Sequence, residues 1–197
     1  MTTHYGDLFI NYNCDIDLTC IDKVIGNVYI YSSDVDLPLL TNICGNLTIG
    51  AKVANLPVLS RIRGYLTIAA ERSSLPLLSS IGCGLHSYVV DIDLPSLISI
   101  GGNLCIYGRK ACLPALTNAG GYLYISEDAE FDYSKIKFGA GDVIAISEYA
   151  LHFKDGMYTA GCRGPWTAEQ ALRHWNDKNP VPNRAKIFRQ AITNLRT

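Results

Sequence analysis

Two groups of residues have types and spacings that could do chemistry. His86, Tyr88 and Cys105 fall where a 19-residue repeat would set them side by side, and a Cys/His pair is the raw material of nucleophilic catalysis. No third orienting side chain and no oxyanion donor accompany them, and His86 falls in the most irregular repeat, so no catalytic centre is expected here. The second group is acidic: Asp15-Ile16-Asp17-Leu18, Asp34-Val35-Asp36-Leu37 and Asp91-Ile92-Asp93-Leu94. Stacked carboxylates can bind calcium or act as an acid–base pair. The matching positions of the intervening repeats are Ala54-Asn55 and Ser73-Ser74, which breaks the ladder. Aspartates in such turns commonly accept bonds from nearby backbone amides, and turn capping is the role expected of them.

Other reactive residues are scattered. His4, His152 and His174 make no pair at metal-ligand spacing, and no glycine loop of the phosphate-cradling kind occurs, so neither metal nor cofactor is expected. The seven cysteines are Cys14, Cys20, Cys44, Cys83, Cys105, Cys112 and Cys162. Their number is odd and no two form a CxxC pair. Most are expected to be small buried apolar residues in a reducing compartment.

Tyrosine is the residue whose placement carries the most information. There are twelve, and seven fall in three neighbouring columns of the repeat. One column is Tyr29, Thr48, Thr67, His86, Cys105 and Tyr124; the next is Tyr31, Gly50, Ala69, Tyr88, Tyr107 and Ser126. A third is Asn27, Asn46, Tyr65, Gly84, Asn103 and Tyr122. Tyrosine offers rigid, amphipathic contact area at small entropic cost, which suits recognition. Aromatic residues also suit strands and stabilise cross-strand ladders. Tyr29, Tyr31, Tyr65, His86, Tyr88, Tyr107, Tyr122 and Tyr124 are the candidate binding residues.

The element that positions them is a repeat. Leu-Pro recurs at Leu37-Pro38, Leu56-Pro57, Leu75-Pro76, Leu94-Pro95 and Leu113-Pro114, each step 19 residues. Gly26, Gly45, Gly64, Gly102 and Gly121 keep the same register, with Cys83 between Gly82 and Gly84 in the remaining position. Leu40, Leu59, Leu78, Leu97 and Leu116 form one apolar column; Ile43, Ile62, Ile81 and Ile100, ending at Ala119, form another. Val28, Leu47, Leu66, Leu85, Leu104 and Leu123 form a third, followed two residues on by Ile30, Ile49, Ile68, Ser87, Ile106 and Ile125. The unit is L-P-x-L-x-x-I-x-G-x-L-x-I and a polar turn.

Alternation in G-x-L-x-I is strand periodicity, with Leu and Ile inward. Glycine before the strand is expected to provide unusual backbone angles at a bend, and proline to mark a corner with no amide to satisfy. One coil cannot bury its own apolar side, so stacked coils share a core. About seven coils at about 4.8 Å each make an array on the order of 30 Å long. The fold class is therefore mainly β: a solenoid with a small α+β cap.

Leu56-Pro57-Val58-Leu59-Ser60-Arg61-Ile62-Arg63-Gly64-Tyr65-Leu66-Thr67-Ile68 resembles the leucine-rich repeats of receptor L-domains throughout its length. The resemblance spans residues 6 to 147 and implies ligand or protein recognition, not an activity. It departs from that family in its shorter period and in lacking the asparagine ladder of standard leucine-rich repeats. Nineteen residues leave little room for convex-side helices, so turns or short extended pieces are expected there.

The pattern weakens at both ends. The first coil keeps Leu8, Ile10, Leu18, Ile21 and Val24, with Thr19 in the proline position; the last loses Leu-Pro to Asp132-Tyr133, and Gly141-Asp142-Val143-Ile144-Ala145-Ile146 is expected as a final strand. The expected division is 1–147 solenoid and 148–197 C-terminal unit. In that unit, His152 to Gly161 has a hairpin turn at Asp155-Gly156, and Thr167 with Gln170 makes a capping box. Asn179-Pro180-Val181-Pro182 breaks the first helix. Asn183 is expected to cap a second, with Ile187, Phe188, Ala191, Ile192 and Leu195 on one face. This unit is expected to close the open end of the solenoid. Around Ala160-Gly161-Cys162-Arg163-Gly164-Pro165-Trp166 it resembles tails of bacteriophage and prophage proteins, which would place the chain in a bacterial cell.

Composition bounds the partners. The chain has 197 residues, is 48% hydrophobic and 18% charged, and carries a net charge of −1. It should fold, and it lacks the clustered basic surplus of a nucleic-acid binder. No apolar run is long enough to span a membrane, and Met1 to Asp7 lacks the features of a secretory signal, so a cytoplasmic location is expected. The sequence points to a non-catalytic scaffold for a protein partner, such as an inhibitor of a host or defence protein. The alternative is a carbohydrate-active or carbohydrate-binding solenoid using the Asp-x-Asp turns.

Overall fold

The structure is a computed structural model describing residues 1–12, 16–126, 129–132, 135–136, 143–146, 149–160, 163–176 and 178–194, with backbone alone at 143–146, 149, 183 and 194. Period-two alternation folds as expected. Leu8–Ile10 (β1), Val28–Ile30 (β2), Leu47–Ile49 (β3), Leu66–Ile68 (β4), Leu85–Ser87 (β5), Leu104–Ile106 (β6) and Leu123–Ile125 (β7) lie side by side in one parallel sheet. The register is that of the sequence columns: Leu47 pairs with Leu66, Leu66 with Leu85, and Leu85 with Leu104.

Each coil has three sides. The second side is a seven-stranded parallel sheet from Thr2–Tyr5 through Ile21–Ile25, Asn42–Ile43, Arg61–Ile62, Ser80–Ile81 and Ser99–Ile100 to Asn118–Ala119. The third side is two short sheets, Asp34–Asp36 with Val53–Asn55 and Arg72–Ser74, then Asp91–Asp93 with Lys110–Cys112 and Glu130–Phe131. The expected short extended pieces are therefore strands, and the coils pile into a β-solenoid of about seven turns.

The repeat signature has a direct structural meaning. In every L-P-x-L segment the last Leu amide bonds the first Leu carbonyl, as in Leu59 to Leu56 at 3.3 Å and Leu97 to Leu94 at 3.2 Å. Proline at the second position of such a turn supplies the right φ and lacks an amide that would need a partner. Thr41, Ser60, Ser79 and Thr117 then donate their hydroxyls to the backbone carbonyl one coil back, at 2.9, 3.1, 3.0 and 3.3 Å.

The glycine columns have a different cause from the one expected. They are required by close approach between coils, not by unusual backbone angles. A Cβ on Gly45 would lie 2.4 Å from the Gly26 carbonyl oxygen, and in the adjoining column of Gly82, Gly101 and Gly120 one on Gly101 would lie 2.0 Å from that of Gly82.

A side-chain ladder, expected to be missing, is present in part at the corner before the main sheet. The Oδ1 atoms of Asp7, Asn27 and Asn46 each accept the backbone amide of the next coil, at Asn27, Asn46 and Tyr65, all at 2.8 Å. Asn103 accepts from Tyr122 at 3.1 Å. Tyr65 and Gly84 interrupt the run because neither offers a side-chain carbonyl at that position.

The core runs unbroken from Leu8 to Ile192. Leu37, Leu47, Ile49, Leu56, Leu66, Ile68, Leu94 and Leu104 are completely buried. Each such side chain contributes about 2 kcal/mol, so the stack is held chiefly by this interior. Ser87 replaces Ile in its column and is also fully buried, with no hydrogen-bond partner for its hydroxyl among the described residues. Val89 stands where neighbouring coils have Ala51 and Ala70, which offsets part of the lost volume.

At the C-terminal end Val143–Ile146 (β8) adds in parallel, and the direction then reverses. Tyr149–Lys154 (β9), Met157–Ala160 (β10) and Arg163–Trp166 (β11) pair antiparallel and extend the same sheet to eleven strands. Asp155 and Gly156 have φ of +52° and +78°, the conformation of a two-residue hairpin turn. The Thr167–Gln170 capping box opens helix α1 (Ala168–His174). The second helix, α2 (Pro182–Asn194), starts earlier than expected: Pro182 takes its first position, so Asn183 lies inside the helix instead of capping it. Proline suits that position because a first-turn amide has no helical partner. Ile187, Phe188, Ala191 and Ile192 are buried, and the helix packs against β8 and α1. Leu195, Tyr133, Gly141, Asp142 and Gly161 lie outside the described residues.

Candidate functional site: the aromatic face of the main sheet

Because side chains alternate along each strand, the residues between the buried Leu and Ile stand on the outer face of the main sheet. Tyr29, Tyr65, His86, Tyr122 and Tyr124 come from within or just before the strands; Tyr31, Tyr88 and Tyr107 come just after. Tyr31, Tyr65, Tyr88, Tyr107 and Tyr122 are exposed, and Tyr29, His86 and Tyr124 are half-buried.

The structure gathers these residues into two groups. At the C-terminal end Tyr88 and Tyr107 stack with ring centres 4.7 Å apart and planes parallel, and Tyr124 continues the stack at 4.9 Å from Tyr107. His86 meets the edge of Tyr65 at 6.2 Å. At the N-terminal end Tyr29 stacks on Phe9 at 4.8 Å, with Tyr31 beside them. Phe9, 59% exposed, was not among the sequence candidates. Its alternation with Leu8 and Ile10 was the available signal, obscured because the first coil lacks Leu-Pro.

Two glycines make room for rings. A Cβ on Gly50 would stand 2.9 Å from Cδ1 of Tyr31, and one on Gly84 would stand 3.1 Å from Cε1 of Tyr65. Each tyrosine therefore leans over the next coil. The stacked rings of Tyr88 and Tyr107 use their faces on one another and leave their edges exposed.

Cys105 lies beneath this cluster and is fully buried. Its thiol donates to the Tyr122 hydroxyl at 3.5 Å, so its hydrogen bond runs to a phenol, while His86 is its strand neighbour. Burial, followed by the neighbouring Cys105, pushes Tyr107 up to about 12. The hydrogen bond with Cys105 also raises Tyr122.

The remaining candidates sit elsewhere. Asp34, Asp36, Asp91 and Asp93 are on short third-side strands, not turns, because Val35 and Ile92 between them point into the core. Asp36 accepts the Asn55 side-chain amide at 2.9 Å. Asp17 does cap a turn, accepting the Thr19 amide at 3.0 Å, and Asp15 lies outside the described residues. Among the described residues no three His, Cys, Asp or Glu side chains gather as a metal site would require.

The cysteines also depart from expectation. Among the described residues only Cys105 is a fully buried cysteine; Cys20, Cys44 and Cys83 are half-buried, and Cys112 is exposed, because their positions fall on corners and outer faces instead of inward columns. Cys14 and Cys162 lie outside the described residues. In the cap, His174 stacks on Trp166 at 4.7 Å, and burial together with nearby Arg163 lowers its pKa. Among the described residues no helix is long and apolar enough to cross a membrane.

The fold and this face define the chain as a three-sided parallel β-solenoid that displays an aromatic ladder. No known family profile, curated protein sequence or solved structure matches it.

Proposed function

We propose that the aromatic face is a recognition surface for a protein partner and that the chain acts as a binding scaffold without catalysis. The supporting observation is the ladder of exposed Tyr88 and Tyr107 and half-buried Tyr124, whose rings hold one another in place at 4.7 and 4.9 Å. Ordered aromatic side chains lose little entropy on binding, and such residues concentrate binding energy at protein interfaces. From Asn27 to Tyr124 the three outward columns contain no Lys, Arg, Asp or Glu, in keeping with the charge-poor centres of interfaces. The L-domain-like repeat favours recognition over an activity. The phage-like tail supplies the one pointer to a partner, a bacterial host or defence protein.

The test is affinity capture from a bacterial lysate with the full chain as bait. A variant with Tyr29, Tyr31, Tyr88 and Tyr107 all changed to Ala should keep the far-ultraviolet circular dichroism of the wild type and lose its captured partner. Undiminished capture would remove the face from consideration.

A further inference from the structure

The aromatic ladder is interrupted at β3 and β4. There the outward positions hold Thr48, Gly50, Thr67 and Ala69, between Tyr29 and Tyr31 of β2 and His86 and Tyr88 of β5. Tyr31 and Tyr88 are three coil steps apart, roughly 14 Å at about 4.8 Å per step. Tyr65, also on this coil, lies over Gly84 and so leans toward β5, away from Thr48. The result is a trough with aromatic walls and a floor of small side chains. The ring of Tyr31 tilts over Gly50, so the open floor is Thr48, Thr67 and Ala69, and an α-helix, about 10–12 Å across with its side chains, rests its inner stripe on that floor with the rings at its sides.

Charge selects the kind of helix. Residues 42–79, the stretch that builds these two coils, carry Lys52, Arg61, Arg63 and Arg72 against a single acid, Glu71, although the whole chain has a net charge of −1. All five are exposed, and among the described residues none of the four cations makes an ion pair. Arg63 borders the corner before Tyr65; on the opposite margin Lys52 is matched one coil on by Glu71, beside Arg72 at the start of its third-side strand. A neutral trough with basic margins complements an acidic helix.

We infer that the trough takes one amphipathic helix of a partner protein. Its apolar stripe lies on Thr48, Thr67 and Ala69 between Tyr31 and Tyr88, and its acidic flanks face Lys52, Arg63 and Arg72. The inference rests on the recognition role proposed for the face and fixes where on it, and by what chemistry, the partner sits.

The probes are two stapled fluorescent helical peptides with the same Leu/Ala stripe, one flanked by Glu and the other by Lys, titrated into the full chain by fluorescence anisotropy. The Glu-flanked peptide should bind at least about tenfold more tightly at low salt, with the advantage shrinking as salt is raised. Thr67→Trp should fill the trough and abolish binding with the thermal midpoint retained; Ala69→Trp, at an exposed neighbouring position, serves the same purpose. Reversing the margin with Lys52→Glu and Arg63→Glu should invert the preference between the peptides. Absence of binding, equal binding of both peptides, or undiminished binding by the filled variants would each overturn the inference. If the peptides fail while the four-tyrosine variant still loses its captured partner, the face stands and the trough falls.

Discussion

The ring of Tyr31 lies against Gly50 of the next coil, so close that a single added methyl there would be 2.9 Å from its Cδ1 atom. The stack thus uses glycine in two ways. At Gly50 the missing side chain gives room to a movable ring on the surface, whereas at Gly101 it lets two backbones meet.

These two uses predict different costs. Gly50→Ala displaces an exposed ring and should change stability by no more than about 0.5 kcal/mol, and NMR should find a ring-current shift at the residue-50 amide of the wild type that is lost from the same amide of the variant. Gly101→Ala sets a methyl 2.0 Å from the Gly82 carbonyl oxygen and should cost about 3 kcal/mol in urea unfolding. Equal costs at the two positions would contradict this division.

The corner ladder predicts a local weakness. Asn46→Ala removes the acceptor of the Tyr65 amide, held at 2.8 Å, and should cost about 1–2 kcal/mol. Hydrogen exchange should locate the loss at the Tyr65 amide, with distant amides such as Tyr122 affected only through the global term.

Acid should loosen the first coil. Asp7 is lowered from 3.8, chiefly because its carboxylate accepts the Asn27 backbone amide. A carboxylate lowered in the folded state contributes stability that is fully present well above 3.8, and loses it as pH falls through 3.8 to the still lower folded value. Protection of the Asn27 amide should therefore decline in that window. In Asp7→Asn, which keeps an acceptor oxygen without the titrating charge, it should not.

Base should act on the aromatic ladder. Tyr107, raised to about 12 by burial and by Cys105, should be among the last tyrosines to ionise. An acid raised in the folded state keeps its proton longer than in the unfolded chain, so its contribution to stability falls once pH exceeds 10.0. Ultraviolet titration of Tyr107→Phe should lose absorbance change from the alkaline end of the wild-type curve. Loss from the early part of the curve would place Tyr107 among the ordinary phenols.

Much of this architecture was legible in the sequence because the apolar columns repeat at a fixed interval. Leu47, Leu66, Leu85 and Leu104 had to share a register and an interior, and they do. The outward tyrosine columns followed from the same alternation. What was not legible depended on contacts between coils. Spacing alone does not distinguish a glycine that bends from one that is approached, as at Gly45, nor reveal that Asn46 would face the Tyr65 amide. In the sequence alone Pro182 reads as a helix breaker, because an X-Pro pair both ends and begins helices. The gap in the ladder at Thr67 and Ala69 became a trough only once ring positions on both sides were known.

The change of strand direction between β8 and β9 has a consequence for growth of the assembly. A parallel stack offers at each end a template on which another like-wound coil could be laid, within one molecule or between molecules. At the C-terminal end that template is turned around, and its outermost strand is the short β11, where Pro165 has no amide to give. Growth by simple coil addition is blocked at that end of the main sheet, whereas at the other end its Leu8–Ile10 strand keeps the parallel direction of the stack.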